Sequence, residues 1–289
     1  DHNVYPSKSE GGINPSGTLR IELELYSNIR PAKNYNNVKS LSKNMDLIIV
    51  RENTEGFYAD RNMVEGGGEF SPMPGIGLAF RKITKKASLR IAETAFKIAN
   101  AKAINKNKKP KVHAVHKANV MRLTDGIFLD ACRSVSSKYP DIDYNEMLVD
   151  ACAAHIVRNP SQFDVIVTTN MFGDILSDLA TELSGSLGLA GSLNAGDNYA
   201  MAQAQHGSAT DIAGQNIANP ISLILSSAML LNWLGKKRKI KNLVLASSLI
   251  DKSVTKLLEN ETCLTQDLGG TSSTAETTKN LINILKHLI

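Results

Sequence analysis

The sequence predicts an α/β protein, because short apolar runs of strand length alternate with longer segments of helical periodicity. Residues 45–50 (MDLIIV) and 163–169 (FDVIVTT) are apolar over a length that suits buried strands. Residues 83–101 repeat apolar side chains every three or four positions, which is typical of a helix with one buried face. Such alternation favours a sheet covered by helices, and 289 residues suffice for one large domain or two modest ones.

The first elements are predicted to be a loop and a short helix. Residues 7–17 (SKSEGGINPSG) are rich in Gly, Ser, Pro and Asn, which indicates a loop. Residues 18–29 (TLRIELELYSNI) predict an amphipathic helix, with Arg20 near its start and Arg30 directly after it. Because a guanidinium fork matches a carboxylate, two arginines near one site suggest a di- or tricarboxylate ligand. Taken alone, surface positions are the commoner explanation for such arginines.

Polar side chains follow each of three predicted strands. Arg51 follows the strand at residues 45–50, and Asn170 follows the strand at residues 163–169. Residues 111–115 predict a third strand, and Lys117 comes just after it; a lone lysine there is usually solvent-facing. Since ligands collect at strand ends in α/β sheets, these positions are candidates for a binding site. Residues 60–77 lie between the first of these strands and the helix predicted at residues 83–101. They contain a GGG run and prolines, which predict a loop or hairpin.

Three aspartates near the last of these strands form a candidate metal site. Asp174 and Asp178 lie four residues apart in a predicted helix start, so both carboxylates can face one ligand. Asp150 lies upstream of the strand. Carboxylates gathered in this way suit a hard divalent cation such as Mg²⁺ or Mn²⁺. The alternative is that Asp174 caps the helix and Asp178 makes a surface ion pair.

Two helices are predicted near the carboxyl terminus. Residues 221–234 form an apolar segment between Pro220 and Gly235, and residues 275–288 form a closing amphipathic helix. The apolar segment is interrupted by Ser and Asn and is too short to cross a bilayer, so no membrane partner is expected.

Charge and cysteine content narrow the class of protein further. A net charge of +5, with 42% hydrophobic and 21% charged residues, is ordinary for a soluble globular protein. The basic clusters at residues 106–111 and 236–241 lack interleaved aromatics, so we interpret them as solvated loops and expect no nucleic-acid partner. Cys132, Cys152 and Cys263 are an odd number without CxxC spacing, which favours a reducing cytoplasm.

Long motifs in the chain resemble those of one enzyme family. The runs NMFGDILSDLATELSGSLGLAGSLNAG and HGSATDIAGQNIANP are similar to the metal-dependent β-decarboxylating dehydrogenases, which include isocitrate, 3-isopropylmalate, homoisocitrate and tartrate dehydrogenases. The motifs IRP, VRENTEGFY and HKANV extend the resemblance, in order, over most of the chain. The family normally begins with a strand and a glycine-rich turn. Their absence predicts that the chain starts inside the first domain.

The resemblance implies a two-domain fold around a central mixed sheet, distinct from a Rossmann fold. We predict a cofactor-side domain formed by residues 1–25 and 186–289. Residues 26–185 would form a smaller domain with the metal acids and a dimer interface. In the family such a dimer has two active sites, each shared between the subunits, and residues 60–77 correspond to a β clasp between them.

The resemblance also implies roles for the polar residues. Lys117 would act as base from the neighbouring subunit, through water or Asp150, and Tyr58 would protonate the enol after CO₂ leaves. The metal ligands would be Asp150, Asp174 and Asp178. The implied substrate ligands are Arg20, Arg30, Arg51 and Asn119, and the C3 substituent of a (2R)-malate would face Asn14 and Ser16.

The implied cofactor is NAD, held by a loop around HGSATDIAG. The chain has no GxGxxG fingerprint. Members that use NADP carry Lys and Tyr where this chain has Asp211 and Ile212, and a carboxylate there would repel a 2′-phosphate. The chain departs from the family in reading MAQAQ where many members have Glu-Pro before the histidine, and in Thr210. The implied cofactor residues are His206, Gly207, Ser208, Ala209, Asp211, Ile212 and Asn219.

The identity of the C3 substituent is the open point. Isopropylmalate enzymes place leucines where this chain has Ser16 and Gly17, whereas isocitrate enzymes use Ser and Asn near these positions. Polar side chains left unpaired against an isopropyl group would be costly, so an isocitrate-like or tartrate-like substrate is favoured. The alternatives are 3-isopropylmalate or homoisocitrate dehydrogenase, and, in a different class, a non-catalytic regulatory subunit.

Overall fold

A seven-stranded sheet in the order β6-β5-β7-β2-β1-β8-β9 organises the protein. This computed structural model describes residues 12, 14–57, 68–103 and 109–289. The sheet strands are β1 Ser27–Lys33, β2 Asp46–Glu52, β5 Lys111–His116, β6 Asp143–Leu148, β7 Val165–Thr168, β8 Leu193–Ala195 and β9 Ala200–Ala202, and a separate hairpin pairs β3 Glu69–Phe70 with β4 Leu78–Ala79. The helices are α1 Pro15–Glu22, α2 Lys85–Ala103, α3 Arg122–Ser136, α4 Val149–Arg158, α5 Asn170–Ser184, α6 Ile221–Arg238, α7 Lys241–Leu258 and α8 Thr274–Lys286.

The sheet is mixed, which confirms the predicted α/β class and mixed sheet. Strands β6, β5, β7 and β2 run parallel to one another, whereas β1, β8 and β9 continue the sheet in antiparallel pairs. Parallel strands that are covered on both faces consist mostly of apolar residues. Strand β7 fits this rule, since all four of its residues are buried.

Apolar side chains cover the parallel strands on both faces. One cluster joins the strands to α2 and α3 and includes Phe96, Phe128 and Val165. The opposite cluster joins them to α4 and α5 and includes Ile156 and Leu176. Each such side chain contributes about 1.5–3 kcal/mol of transfer free energy when buried. A third cluster forms among α6, α7 and α8.

The predicted loop at residues 7–17 and helix at residues 18–29 are partly wrong. Helix α1 begins at Pro15, because Asn14 caps it by accepting a hydrogen bond from the backbone N–H of Gly17 at 3.2 Å. It ends at Glu22, and the last residues of the predicted helix lie in strand β1, which pairs with β2 and β8. The described part of the earlier loop is short, since residues 1–11 and 13 lie outside the described residues.

The predicted loop at residues 236–241 is also wrong. Helix α6 continues to Arg238, Lys239 adopts the left-handed conformation, and α7 begins at Lys241. Gly235, expected near the helix end, lies inside the helix. A Cβ there would stand 2.8 Å from a methyl carbon of Val244, so the glycine permits the close approach of α7. Most of the other basic cluster lies outside the described residues.

The described part of residues 60–77 includes one strand of a hairpin, as predicted. The rings of Phe70 and Phe80 stack beside it with centroids 5.3 Å apart. Cys132, Cys152 and Cys263 are buried and free. Among the helices that the structure describes, none combines the length and hydropathy that a bilayer crossing requires.

Candidate active site

The parallel strands bring three functional candidates to one edge of the sheet. Strands β2, β5 and β7 run in the same direction and end at Glu52, His116 and Thr168. Arg51, Lys117 and the start of α5 therefore lie along the same carboxyl edge, where open α/β sheets bind ligands.

Two buried arginines converge on the first acid of α5. Asn28 of β1 lies opposite Arg51 of β2, so Arg30, two residues along, projects from the same face of the sheet. The Nη1 atom of Arg30 lies 3.1 Å from Asp174 Oδ1, and Nη1 of Arg51 donates to the same oxygen. The side chains of Arg30 and Arg51 are only 7% and 3% exposed, so each guanidinium requires such acceptors.

Neighbouring side chains of α5 complete the acceptors for these arginines. Arg51 donates through Nε and Nη2 to Asn170 Oδ1, at 2.9 and 2.6 Å. Arg30 donates to Ser177 Oγ at 2.7 Å and to Asp178 Oδ1 at 3.3 Å. Gly173 makes room for this arrangement, because a Cβ there would stand 2.6 Å from Cβ and Cγ of Arg51.

A small cavity of about 190 Å³ lies beside these arginines. Apart from one alanine its lining is polar or charged. It consists of Arg20, Arg30, Arg51, Asp174, Ser192, Gln203, Ala204 and Gln205. A cavity with three guanidinium groups and one carboxylate has the chemistry of a site for a small polycarboxylate.

Gln203 joins α1 to this cavity. Its Oε1 atom accepts hydrogen bonds from Arg20 Nη2 at 2.9 Å and from Ser16 Oγ at 3.0 Å. Asn194 donates to the same oxygen at 3.3 Å. Arg20 thus lines the cavity and Ser16 contacts the lining residue Gln203, whereas the Asn14 side chain is exposed and caps α1.

Asp174 and Asp178 meet the requirements of two hard-cation ligands. They lie one helical turn apart on α5, and their side chains are 37% and 52% exposed. Gln205 Nε2 donates to Asp178 Oδ1 at 2.8 Å. In the described part of the chain, no three acidic, histidine or cysteine side chains cluster as a metal site would require. The donor chemistry therefore fits Mg²⁺ or Mn²⁺ with two carboxylates from this site and further ligands from elsewhere.

Asp150 and Lys117 form a separate pair on the same edge of the sheet. The Nζ atom of Lys117 lies 2.6 Å from Asp150 Oδ1, and the two side chains are 27% and 64% exposed. The hydrogen bond from Lys117 is the main reason why the pKa of Asp150 is lowered from its ordinary value. The structure thus brings these two candidates together with each other and not with Asp174 and Asp178.

The two remaining candidates for substrate binding and proton transfer are Asn119 and Tyr58. Asn119 is exposed in the turn after β5. Tyr58 lies outside the described residues, which stop at Phe57 in that segment.

The candidate cofactor residues lie on an exposed loop between β9 and α6. Asp211 belongs to the short 3₁₀ turn Thr210–Ile212, and its carboxylate forms no ion pair within the described ranges of the chain. Asn219 is engaged at both ends of its amide: Oδ1 accepts from the N–H of Ile221 at 3.0 Å, and Nδ2 donates to Asp267 at 3.0 Å. A negatively charged, exposed side chain at position 211 fits the two hydroxyls of a ribose better than a phosphate.

A larger cavity, of about 500 Å³, lies between β1, α5, α6 and α7. Its charged side chains are Lys33 and Asp251, which pair with each other at 3.4 Å. Because this cavity lacks converging cations and free acids, we place the chemistry in the smaller one.

Several residues of the site were not predicted from the sequence. Gln203 and Gln205 belong to the MAQAQ segment. In the sequence, this segment stands out only because it differs from the resembling family, and that difference does not predict site residues. Ser177 follows Asp174 by three residues, so helical periodicity could have placed it on the same face. Arg81 and Asp125 lie near the carboxyl edge with no local motif to identify them.

The chain is similar to known proteins along most of its length. Residues 4–284 match the family model described as isocitrate/isopropylmalate dehydrogenase. The chain is 42% identical over 269 residues to the mitochondrial isocitrate dehydrogenase (NAD) catalytic subunit 5 of Arabidopsis thaliana, covering 93% of this chain and 67% of that protein. It is 43% identical over 254 residues to the 3-isopropylmalate dehydrogenase of Saccharolobus solfataricus, covering 88% of this chain and 71% of that one.

A further relative, with a third substrate name, and a solved structure are also similar to the chain. The homoisocitrate dehydrogenase of Methanocaldococcus jannaschii is 40% identical over 291 residues, with 97% of this chain and 78% of that protein covered. The crystal structure of isocitrate dehydrogenase from Methylococcus capsulatus superposes with a TM-score of 0.82 at 37% identity, covering 94% of this chain and 77% of that one. Identity is nearly equal across three substrate names, so the substrate must be inferred from the cavity.

Proposed function

The chain belongs to the isocitrate/isopropylmalate dehydrogenase family, whose members are NAD-linked, decarboxylating dehydrogenases, and on that premise we propose that it oxidises a (2R)-malate with a polar substituent at C3. The observation that carries this proposal is the small cavity, in which three arginines face a lining with a single alanine. An isopropyl group would find no apolar wall there, whereas a carboxylate or hydroxyl would meet donors.

The arginines bind and orient the substrate. Arg30 and Arg51 are buried and fixed by α5, so their guanidinium groups can hold the carboxylates of the malate unit with little loss of side-chain entropy. Arg20, held by Gln203, faces the same cavity from α1. Fixing the carboxylates in this way leaves the C2 hydroxyl in a defined position.

The remaining roles concern the cation, the cofactor and two protons. Asp150, Asp174 and Asp178 would hold a divalent cation, which when bound would supply Lewis acidity, and NAD held by the loop around Asp211 would supply the hydride acceptor. Lys117 accepts the proton of the C2 hydroxyl at Nζ, and Asp150 stabilises the resulting ammonium. Tyr58 delivers a proton to C3 after the carboxylate attached there leaves as CO₂.

We propose a homodimer with two shared sites, located in the cytoplasm. The separation of the Lys117–Asp150 pair from Asp174 and Asp178 supports this assembly, because a partner subunit could supply the missing pair. Buried, free cysteines suit a reducing compartment.

Substrate preference is the first test of this proposal. We expect isocitrate or tartrate to give a higher kcat/KM than 3-isopropylmalate, because an isopropyl group would meet a polar and charged lining with a single alanine. The measurement is steady-state NADH formation, with Mg²⁺, on a panel that also includes homoisocitrate and malate. A clear preference for 3-isopropylmalate would contradict the polar-substituent proposal, and no turnover of any panel member would contradict the proposed reaction.

Cofactor preference is a second test. We expect NAD to be favoured over NADP in kcat/KM, since the exposed carboxylate of Asp211 would repel a 2′-phosphate. Replacing Asp211 by Lys together with Ile212 by Tyr should narrow or reverse this preference. Asp141→Lys, which adds the same charge at an exposed position before β6, serves as a control for a general gain in anion affinity. A native enzyme that prefers NADP would show that the interpretation of this loop is wrong.

A further inference from the structure

Arg81 and Asp125 form a buried ion pair at the carboxyl edge of the sheet. Their closest atoms, Arg81 Nη1 and Asp125 Oδ1, are 2.6 Å apart, and the side chains are 8% and 0% exposed. Burying two charges is costly unless further hydrogen bonds accompany them. The additional hydrogen bonds of this pair lead to the Lys117 turn and to the start of α5, and a ring contact of Arg81 leads to the segment that ends at Phe57.

The first bonds hold the turn of Lys117. Asp125 Oδ2 accepts the backbone N–H of Lys117 at 2.6 Å. The carbonyl of Lys117 in turn accepts from Val120 and Met121, at 3.0 and 2.9 Å, just before α3 begins. The position of the lysine backbone is therefore set by a carboxylate that itself depends on Arg81.

The second bonds lead to the start of α5. Arg81 Nη2 donates to Thr169 Oγ1 at 3.1 Å, at the residue that precedes the helix. The guanidinium also lies 5.7 Å from the ring centroid of Phe172, in the first turn. Asp174, which follows on the same helix, is thereby placed relative to the Lys117 turn.

A third set of contacts leads towards Tyr58. The Arg81 guanidinium lies 5.9 Å from the ring centroid of Phe57. The backbone of the next residue, Lys82, pairs with Gly56 through bonds of 2.8 and 3.0 Å.

We propose that Arg81 is a positioning residue that fixes the Lys117 turn, the start of α5 and the segment before Tyr58 relative to one another. The roles of Lys117, Asp174 and Tyr58 rest on the proposed function, in which the Lys117 turn serves the partner's site and the start of α5 serves its own. The coupling of the three segments does not rest on it. A planar guanidinium can donate to several acceptors in fixed directions, whereas an ammonium is a flexible point charge. Arg81 uses this property to donate to Thr124 Oγ1 at 2.5 Å and to Thr169 Oγ1 at 3.1 Å while it forms the ion pair with Asp125.

The test is the substitution Arg81→Lys, which keeps a positive charge beside Asp125 but removes the fork. The matched control is Arg133→Lys, on the same helix as Asp125. Arg133 also donates through a guanidinium fork, at 2.7 and 2.8 Å, but its acceptor is Glu146 on β6 and not the Lys117 turn. We expect faster amide hydrogen exchange in Arg81→Lys, relative to the control, in peptides spanning residues 116–122 and 169–174. Unchanged exchange in either peptide would overturn the coupling.

Kinetics test the catalytic consequence separately. We expect kcat of Arg81→Lys to fall roughly ten- to a hundredfold, because small displacements of reacting groups lower the rate by such factors. KM for the substrate should be nearly unchanged. Unchanged kcat would overturn the positioning role. Asp125→Asn provides a second variant, which keeps an oxygen for the Lys117 N–H. It should also speed exchange in both peptides. If wild-type protein turns over no substrate, the proposed function fails, and the exchange experiment still decides the coupling.

Discussion

Asp174→Asn is expected to lose nearly all Mg²⁺- or Mn²⁺-dependent turnover while the protein stays folded. Removing an anionic ligand of the cation should cost about 4 kcal/mol of transition-state stabilisation, or roughly a thousandfold in kcat. The asparagine keeps an Oδ1 atom that can still accept from Arg30 and Arg51, so the two guanidinium groups retain a hydrogen-bond acceptor. Turnover at saturating metal and thermal unfolding are the measurements.

The control for this substitution is Asp251→Asn. Asp251 is similarly exposed and pairs with Lys33 at 3.4 Å in the larger cavity, so it loses the same charge away from the site. We expect it to keep wild-type kcat. Full activity of Asp174→Asn, or of the wild type in excess chelator, would contradict the metal site.

The sequence was informative where one physical cause determines local structure. The segments predicted as strands at residues 45–50, 111–115 and 163–169 became β2, β5 and β7, because strands buried on both faces are rich in apolar residues. Arg51 is the last residue but one of β2 and Lys117 directly follows β5, so their placement on one edge follows from the shared direction of these strands. The spacing of Asp174 and Asp178 likewise placed both carboxylates on one face of α5.

It was less informative where tertiary contacts override local preference. Residues 18–29 have helical periodicity, but their last part is taken up by β1 because β2 and β8 flank it in the sheet. A glycine such as Gly235 is typical of a helix end, but here it lies inside α6 and permits the close approach of α7. Helix α7 itself, Lys241–Leu258, was not predicted.

The unpredicted site residues are those whose partners are remote in sequence. Gln203 lies 183 residues from Arg20, and Arg81 lies 88 residues from Thr169. A glutamine or arginine carries no local signal of such pairing, because the same side chains are common on solvated surfaces. Only the folded backbone brings these donors and acceptors within 3.1 Å of each other.

Lys117→Ala is expected to lower kcat roughly a hundred- to ten-thousandfold, the contribution of a positioned proton acceptor. The proposed dimer makes a stronger prediction, because Lys117 and Asp150 would be contributed together to the partner's site. Each subunit would supply Asp174 and Asp178 to its own site. A mutation in the contributed pair and a mutation in the metal acids should therefore complement one another when they are carried by different subunits.

Mixing Lys117→Ala with Asp174→Asn, by unfolding and refolding them together, is expected to restore activity. Each hybrid dimer has one site with both lesions and one with neither. Random mixing makes half of the dimers hybrids, so roughly a quarter of all sites should recover. Lys117→Ala mixed with Asp150→Asn is the matched control: both lesions lie in the contributed pair, so each hybrid site carries one and no activity should return. If hybrids of the first pair form and remain inactive, Lys117 serves its own subunit or has no catalytic role.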